Sequence, residues 1–201
     1  MPDRPGALGQ VASRIGAVRG DVLAIEILEQ GGGRAIDELT VLLPGVDLMT
    51  LLTAEIDAVD GVSVESIRVV DPDRTDASLS ALALGAAIAE SPNDERFDVM
   101  VHGIQRFSET DWVIVLQDNE PIARVGSPPD LAWLTAFLVG SEHLDGLDDS
   151  APSDLLWGHM MISQMTVAAG RIGNPIHERE RVRFSLLLRL ADALVLRHPV
   201  P

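Results

Sequence analysis

The sequence predicts an α+β chain of two domains. Three observations carry this. Apolar residues recur at helical spacing in some stretches and alternate at strand spacing in others. Glycine and proline punctuate the joins between them. A polar, proline-containing stretch, Asp71 to Asp76, "DPDRTD", separates an N-terminal part (1–70) from a C-terminal one (77–198) and reads as a linker (71–76).

The first part opens on "DRPGALGQVASRIG", a tight turn running straight into a helix. Leu8, Val11, Ala12 and Ile15 follow the spacing that lays one stripe on a core, and Gly16 and Gly20 punctuate the end. Val22 to Glu29 reads as a strand with Leu23, Ile25 and Ile27 on one face. Gly31-Gly32-Gly33 is a hairpin turn, and Ala35 to Leu43 is the returning strand, with Leu39, Val41 and Leu43 alternating. Leu48, Leu52, Ile56 and Val59 mark a second helix that Gly61 ends, and Val62 to Val70 reads as a third strand. One strand placed before this series would make it βαββαβ, a ferredoxin-like split unit. The expectation is that a strand of about six to eight residues belongs ahead of Asp3, upstream of Met1.

In the second part, Leu79 to Ala89 is an alanine-rich helix stopped by Ser91-Pro92, and Phe97, Met100, Val101, Ile104 and Phe107 form another helical stripe. Trp112 to Leu116 is almost continuously apolar, as in a strand buried on both faces. "QDNEP" turns into a strand over Ile122 to Val125, and Pro128-Pro129-Asp130 starts a helix carrying Leu131, Leu134 and Leu138. Gly140 to Asp154 is acidic and poor in apolar residues, hence a loop or lid. Met160 to Arg171 reads as one strand. A last helix follows, with Asn174 as N-cap and Pro175 at its first position.

Composition narrows the function. Among 201 residues there is no cysteine, which excludes disulfides, thiolate catalysis and thiolate metal sites. No window holds about 18 consecutive apolar residues, and the start lacks a signal-peptide profile, so the expectation is a cytoplasmic protein with no membrane partner. The net charge of −16 repels phosphate backbones, so no nucleic-acid partner is expected; the densest basic stretch, Arg179 to Arg189, is interleaved with Glu180 and follows Glu178. The triple glycine lies between two strands and has no Gly-Lys-Ser/Thr after it, so it is not a phosphate loop. The five histidines share no metal-ligand spacing, and no G-x-S-x-G elbow occurs, so neither a metal nor another cofactor is expected.

"DRPGAL" is the informative motif. Gly6 lets backbone approach a ligand closely. A helix N-terminus offers free N–H groups and positive partial charge to a carboxylate, and Asp3 could receive an ammonium group. The competing reading is a plain strand-to-helix turn capped by Asp3. "DRPGALGQVASRIGAVRGDVLAIEI" resembles the start of an ACT domain, the small regulatory module of amino-acid metabolism. The resemblance covers residues 1–70. It rests on Asp3, Pro5, Gly6 and Leu8 of a D-x-P-G-x-L turn, with Ala7 between them, and on Asp21 at the helix-to-strand junction. It implies an amino acid bound at a dimer interface by these residues, without catalysis, and departs from the family in lacking the first strand. More faintly, the second part is similar to a GAF domain through "WVIVLQDNEPIARVG" and "AAGRIGNPIHERERVRFSLLLRLADAL", with Ile176 where that family often has an aromatic. The expectation is a homodimeric sensor of an amino acid or similar small molecule. The alternatives are a dimerisation scaffold without ligand, or an enzyme using His143, Asp145, Asp148 and Asp149 in the acidic loop 140–154.

Overall fold

A computed structural model describes residues 1–70, 76–141 and 152–196. The chain forms two compact units, Met1–Arg74 and Thr75–Pro201, of α+β architecture.

In the first unit, α1 (Ala7–Ala17) leads to an antiparallel pair, β1 (Asp21–Gly31) and β2 (Arg34–Leu42). Gly32 and Gly33 turn the hairpin with φ of 58° and 76°, the double left-handed step that matches the twist of the flanking strands. A short 3-10 turn precedes α2 (Met49–Asp57). Val11 and Ile15 of α1, with Val18 and Leu52, are buried against Val22, Leu39 and Val41 of the hairpin.

The third strand expected over Val62 to Val70 does not form; these residues have no regular structure. Val62 packs on the small core, the Val64 N–H donates to the Asp57 carboxylate, and Ile67 and Val69 are exposed. A strand needs a ladder partner for its backbone groups. Among the described residues none pairs with 62–70, and the start of β2 is met instead by the N-terminal residues: Pro2 bridges Arg34 antiparallel, and the Asp3 N–H donates to the Gly33 carbonyl at 2.9 Å.

The second unit begins with α3 (Ala77–Glu90), whose N-cap Asp76 accepts from the Ser78 and Leu79 N–H groups, and α4 (Arg96–Ser108). β3 (Trp112–Gln117), β4 (Glu120–Val125), β5 (Leu155–Met160) and β6 (Met165–Gly170) make one antiparallel sheet in the order β4-β3-β6-β5, with α5 (Leu131–Gly140) between β4 and β5 and α6 (Glu178–Val195) last. One sheet face, through Val113, Val115 and Val167, packs on Met100, Ile104, Phe184 and Leu188 of α4 and α6. The other, through Trp112, Ile114 and Trp157, packs on Leu134 and Leu138 of α5.

Two expectations fail here for physical reasons. Met160 to Arg171 is not one strand but the end of a hairpin whose turn is Met161 to Gln164. No glycine or proline marks that turn. Gln164 takes the left-handed conformation at φ 55°, and the Asp192 carboxylate of α6 accepts from the Ile162 and Ser163 N–H groups at 2.7 and 2.9 Å. The last helix starts at Glu178 with His177 as N-cap, not at Pro175 after Asn174. The carbonyls of Asn174 and Pro175 instead accept from the buried Arg171 guanidinium, which also donates to the Glu180 carboxylate. Arg181, within the basic stretch, is also buried and donates to the Leu155 and Pro152 carbonyls, and burial pushes its pKa down. This arginine is therefore spent on backbone rather than displayed as a basic surface.

Candidate functional site

The D-x-P-G-x-L turn lies at the start of α1, in the first unit. Its backbone is tightly coiled: the Arg4 N–H donates to the Pro2 carbonyl at 3.0 Å, and the Ala7 N–H to the Arg4 carbonyl at 3.2 Å. Gly6 is the N-cap residue, at φ 88° and ψ −12°, a conformation that side chains of ordinary handedness rarely adopt. A Cβ placed on it would meet nothing within 4 Å. The glycine is therefore required by its backbone angle, and the space beside it is open.

With glycine as the cap, no side chain satisfies the first turn of α1. The N–H groups of Leu8 and Gly9 have no acceptor among the described residues. Two unclaimed donors and the positive end of α1 lie at this helix start, an arrangement suited to a carboxylate. Ala7 is buried and contributes through its backbone, Leu8 forms an apolar border at 36% exposure, and Pro5 is exposed.

Asp3 does not cap the helix. Its Oδ2 accepts from Gln30 Nε2 at 2.7 Å, which ties the turn to the hairpin end of β1. Asp37 of β2 belongs to the same acidic corner. Burial raises its pKa above the ordinary aspartate value, the Met1 ammonium opposes that shift, and the like charge of Asp3 adds to it. Gln30 and Asp37 were not expected from the motif. Asp37 carried a signal: it has the parity of Leu39 and Val41, so it places a carboxylate on the apolar face of β2.

Asp21 is exposed and begins β1, opposite Leu42. The 11 residues of α1 stand between Gly6 and this junction, a span of about 16 Å at about 1.5 Å per residue. One small molecule does not bridge that distance, so a single copy brings together Asp3, Gly6 and Leu8 but not Asp21.

His143, Asp145, Asp148 and Asp149 lie outside the described residues. Among the described residues no group of histidines and carboxylates could hold a metal ion, and no helix is long and apolar enough to cross a membrane. No family model, no curated protein and no solved structure matches the chain.

Proposed function

We propose that the first unit is an ACT-like regulatory module that binds an amino acid without transforming it. The observation that carries this reading is the glycine-led start of α1. There the N–H groups of Leu8 and Gly9 have no acceptor among the described residues, the space beside Gly6 is open, and Asp3 and Asp37 form an acidic pair in the same unit. The N–H pair fits the α-carboxylate of an amino acid, and the acidic corner fits its ammonium group. Leu8 borders the space for a side chain.

Asp21 joins such a site only from a second copy. Leu23, Ile25 and Ile27 make β1 a suitable contact, since these apolar side chains are 59%, 46% and 46% exposed. In this reading the protein is a homodimer, and the ligand is held by the turn of one copy and the Asp21 junction of the other. The second unit, GAF-like in its run of elements, relays the bound state. Binding shifts the arrangement by no more than the ligand's differential affinity for the two states. The exposed β1 row also favours the second reading, a dimerisation scaffold without ligand.

A thermal-shift panel of the standard amino acids separates the two. A ligand at about 100 times its Kd adds about 2.7 kcal/mol to the stability of the bound state. Stabilisation by one amino acid, lost in Gly6→Val, supports the sensor. No response to any of them leaves the scaffold.

A further inference from the structure

We propose that Asp60–Gly61 is a self-modification site, at which the folded chain closes a succinimide ring and reopens it as an isoaspartyl linkage. The proposal concerns the first unit alone and stands independently of the ligand reading. Among the described residues Asp60 is the one aspartate followed by glycine. Glycine has no Cβ, so its amide nitrogen lacks the shielding that a side chain gives elsewhere.

The two residues are the centre of the turn that follows α2. The Val62 N–H donates to the Val59 carbonyl at 3.0 Å and closes it. Gly61 sits at φ 74°, and a Cβ on it would meet Pro2 Cγ at 3.0 Å, so the position favours glycine on both counts. The peptide unit between Asp60 and Gly61 is the loose part of the turn. Its N–H has no acceptor, and its C=O no donor, among the described residues. The Asp60 side chain is fully exposed, and its one partner there is the Arg4 guanidinium at 4.0 Å, a weak surface pair. No contact therefore holds the nitrogen and the carboxyl apart. Asp57 is the contrast: it belongs to α2, and its carboxylate accepts from the Val64 N–H at 2.8 Å.

The Gly61 nitrogen attacks the side-chain carboxyl carbon of Asp60. The new C–N bond forms as a carboxyl C–O bond breaks, and the N–H proton leaves with the hydroxyl as water. Water then opens the ring. Addition at the side-chain carbonyl restores aspartate. Addition at the main-chain carbonyl breaks the original peptide bond and leaves Gly61 joined through the Asp60 side chain, with the main-chain carboxylate free. No oxidant or reductant takes part. The chain is then longer by one methylene between two anchored residues: Val59 is buried, and Val62 packs on the small core with Val11, Ile15 and Leu52. The lengthened turn does not keep both anchors, so conversion loosens the first unit. The freed carboxylate is a substrate for an S-adenosylmethionine-dependent carboxyl methyltransferase.

The test ages the full chain at neutral pH, folded in one sample and unfolded by urea in another. Isoaspartate is labelled by methyl transfer from such a methyltransferase and located by peptide mapping, where the isomer has unchanged mass and shifted retention. Cleavage after arginine places Asp60 in the peptide 35–68, apart from the other Asp-Gly step, Asp145–Gly146, in 125–171. The expected result is label in 35–68 from the folded chain, at a folded-to-unfolded rate ratio near one. Asp60→Glu keeps the charge opposite Arg4 but needs a larger ring. That variant stays unlabelled in 35–68, and its first-unit melting transition holds while that of the native chain falls with age. A folded chain that remains aspartyl at 60 while the unfolded chain converts overturns the proposal, and so does conversion in neither state. A transition that falls equally in Asp60→Glu overturns the loosening assigned to it.

Discussion

Replacing Gly6 separates backbone strain from ligand binding. At φ 88° an L residue pays for its Cβ against its own carbonyl, about 1–2 kcal/mol. No neighbour adds to that, because the space within 4 Å of the new Cβ is empty. Gly6→Ala therefore measures the angle alone. In a unit of this size each kcal/mol lowers the melting temperature by about 4–8 °C, so Gly6→Ala lowers the transition of the first unit by about 4–16 °C. Asparagine tolerates left-handed backbone, so Gly6→Asn falls between Gly6→Ala and the native chain. Gly6→Val adds a β-branched side chain in the open space beside Gly6. Scanning calorimetry on the full chain reads these losses against the second unit as internal reference. Gly6→Ala melting with the native chain, or Gly6→Asn losing as much as Gly6→Ala, would refute the assignment of strain to this position.

Two other perturbations have signs set by the structure. Burial raises the folded-state pKa of Asp37 above its unfolded value, so its contribution favours folding at low pH and is lost as pH rises through the folded pKa. Asp37→Asn accordingly raises the melting temperature at pH 7, and the gain shrinks towards about pH 3, where the native carboxyl is protonated in both states; equal gains at both pH values would contradict this. Asp192→Ala removes the acceptor of two hairpin N–H groups, and an orphaned donor costs about 1–3 kcal/mol. Ile162 is 68% exposed, so water takes over one of the two and the loss stays within that range; amide exchange at Ser163 should accelerate with it.

What could be read from the sequence followed local rules. The Gly32-Gly33 turn, the doubly buried β3 and the Asp130 helix start each depend on neighbours in sequence, and each is found where it was expected; of the α1 stripe Val11 and Ile15 are buried as expected, whereas Leu8 is exposed and Ala7 is buried in its stead. Two of the failures depend on distant residues and the third on a local bond that outweighs a helix-start signal. Val62 to Val70 has strand-forming residues but no strand beside it to complete a ladder. The β5–β6 turn is held by Asp192, 29 and 30 residues away, and left-handed Gln164 is no turn signal in sequence. The start of α6 moved because Arg171 claims the carbonyls of Asn174 and Pro175. The site divides in the same way. Asp3 and Gly6 were legible because the turn is local. Gln30 and Asp37 reach it only through the register of β1 on β2.

The most direct test of the central claim is a complementation titration. Gly6→Val disables the turn, and Asp21→Ala disables the junction. Each variant alone is titrated calorimetrically with the amino acid that most stabilises the native chain; then the two are mixed under conditions that exchange subunits. If one ligand is held by the turn of one copy and Asp21 of the other, every mixed dimer contains one intact site. Random pairing then restores native affinity to about one site in four. If the mixture binds no better than the two variants measured separately, the turn and Asp21 do not meet across two copies, and the account of this site is wrong.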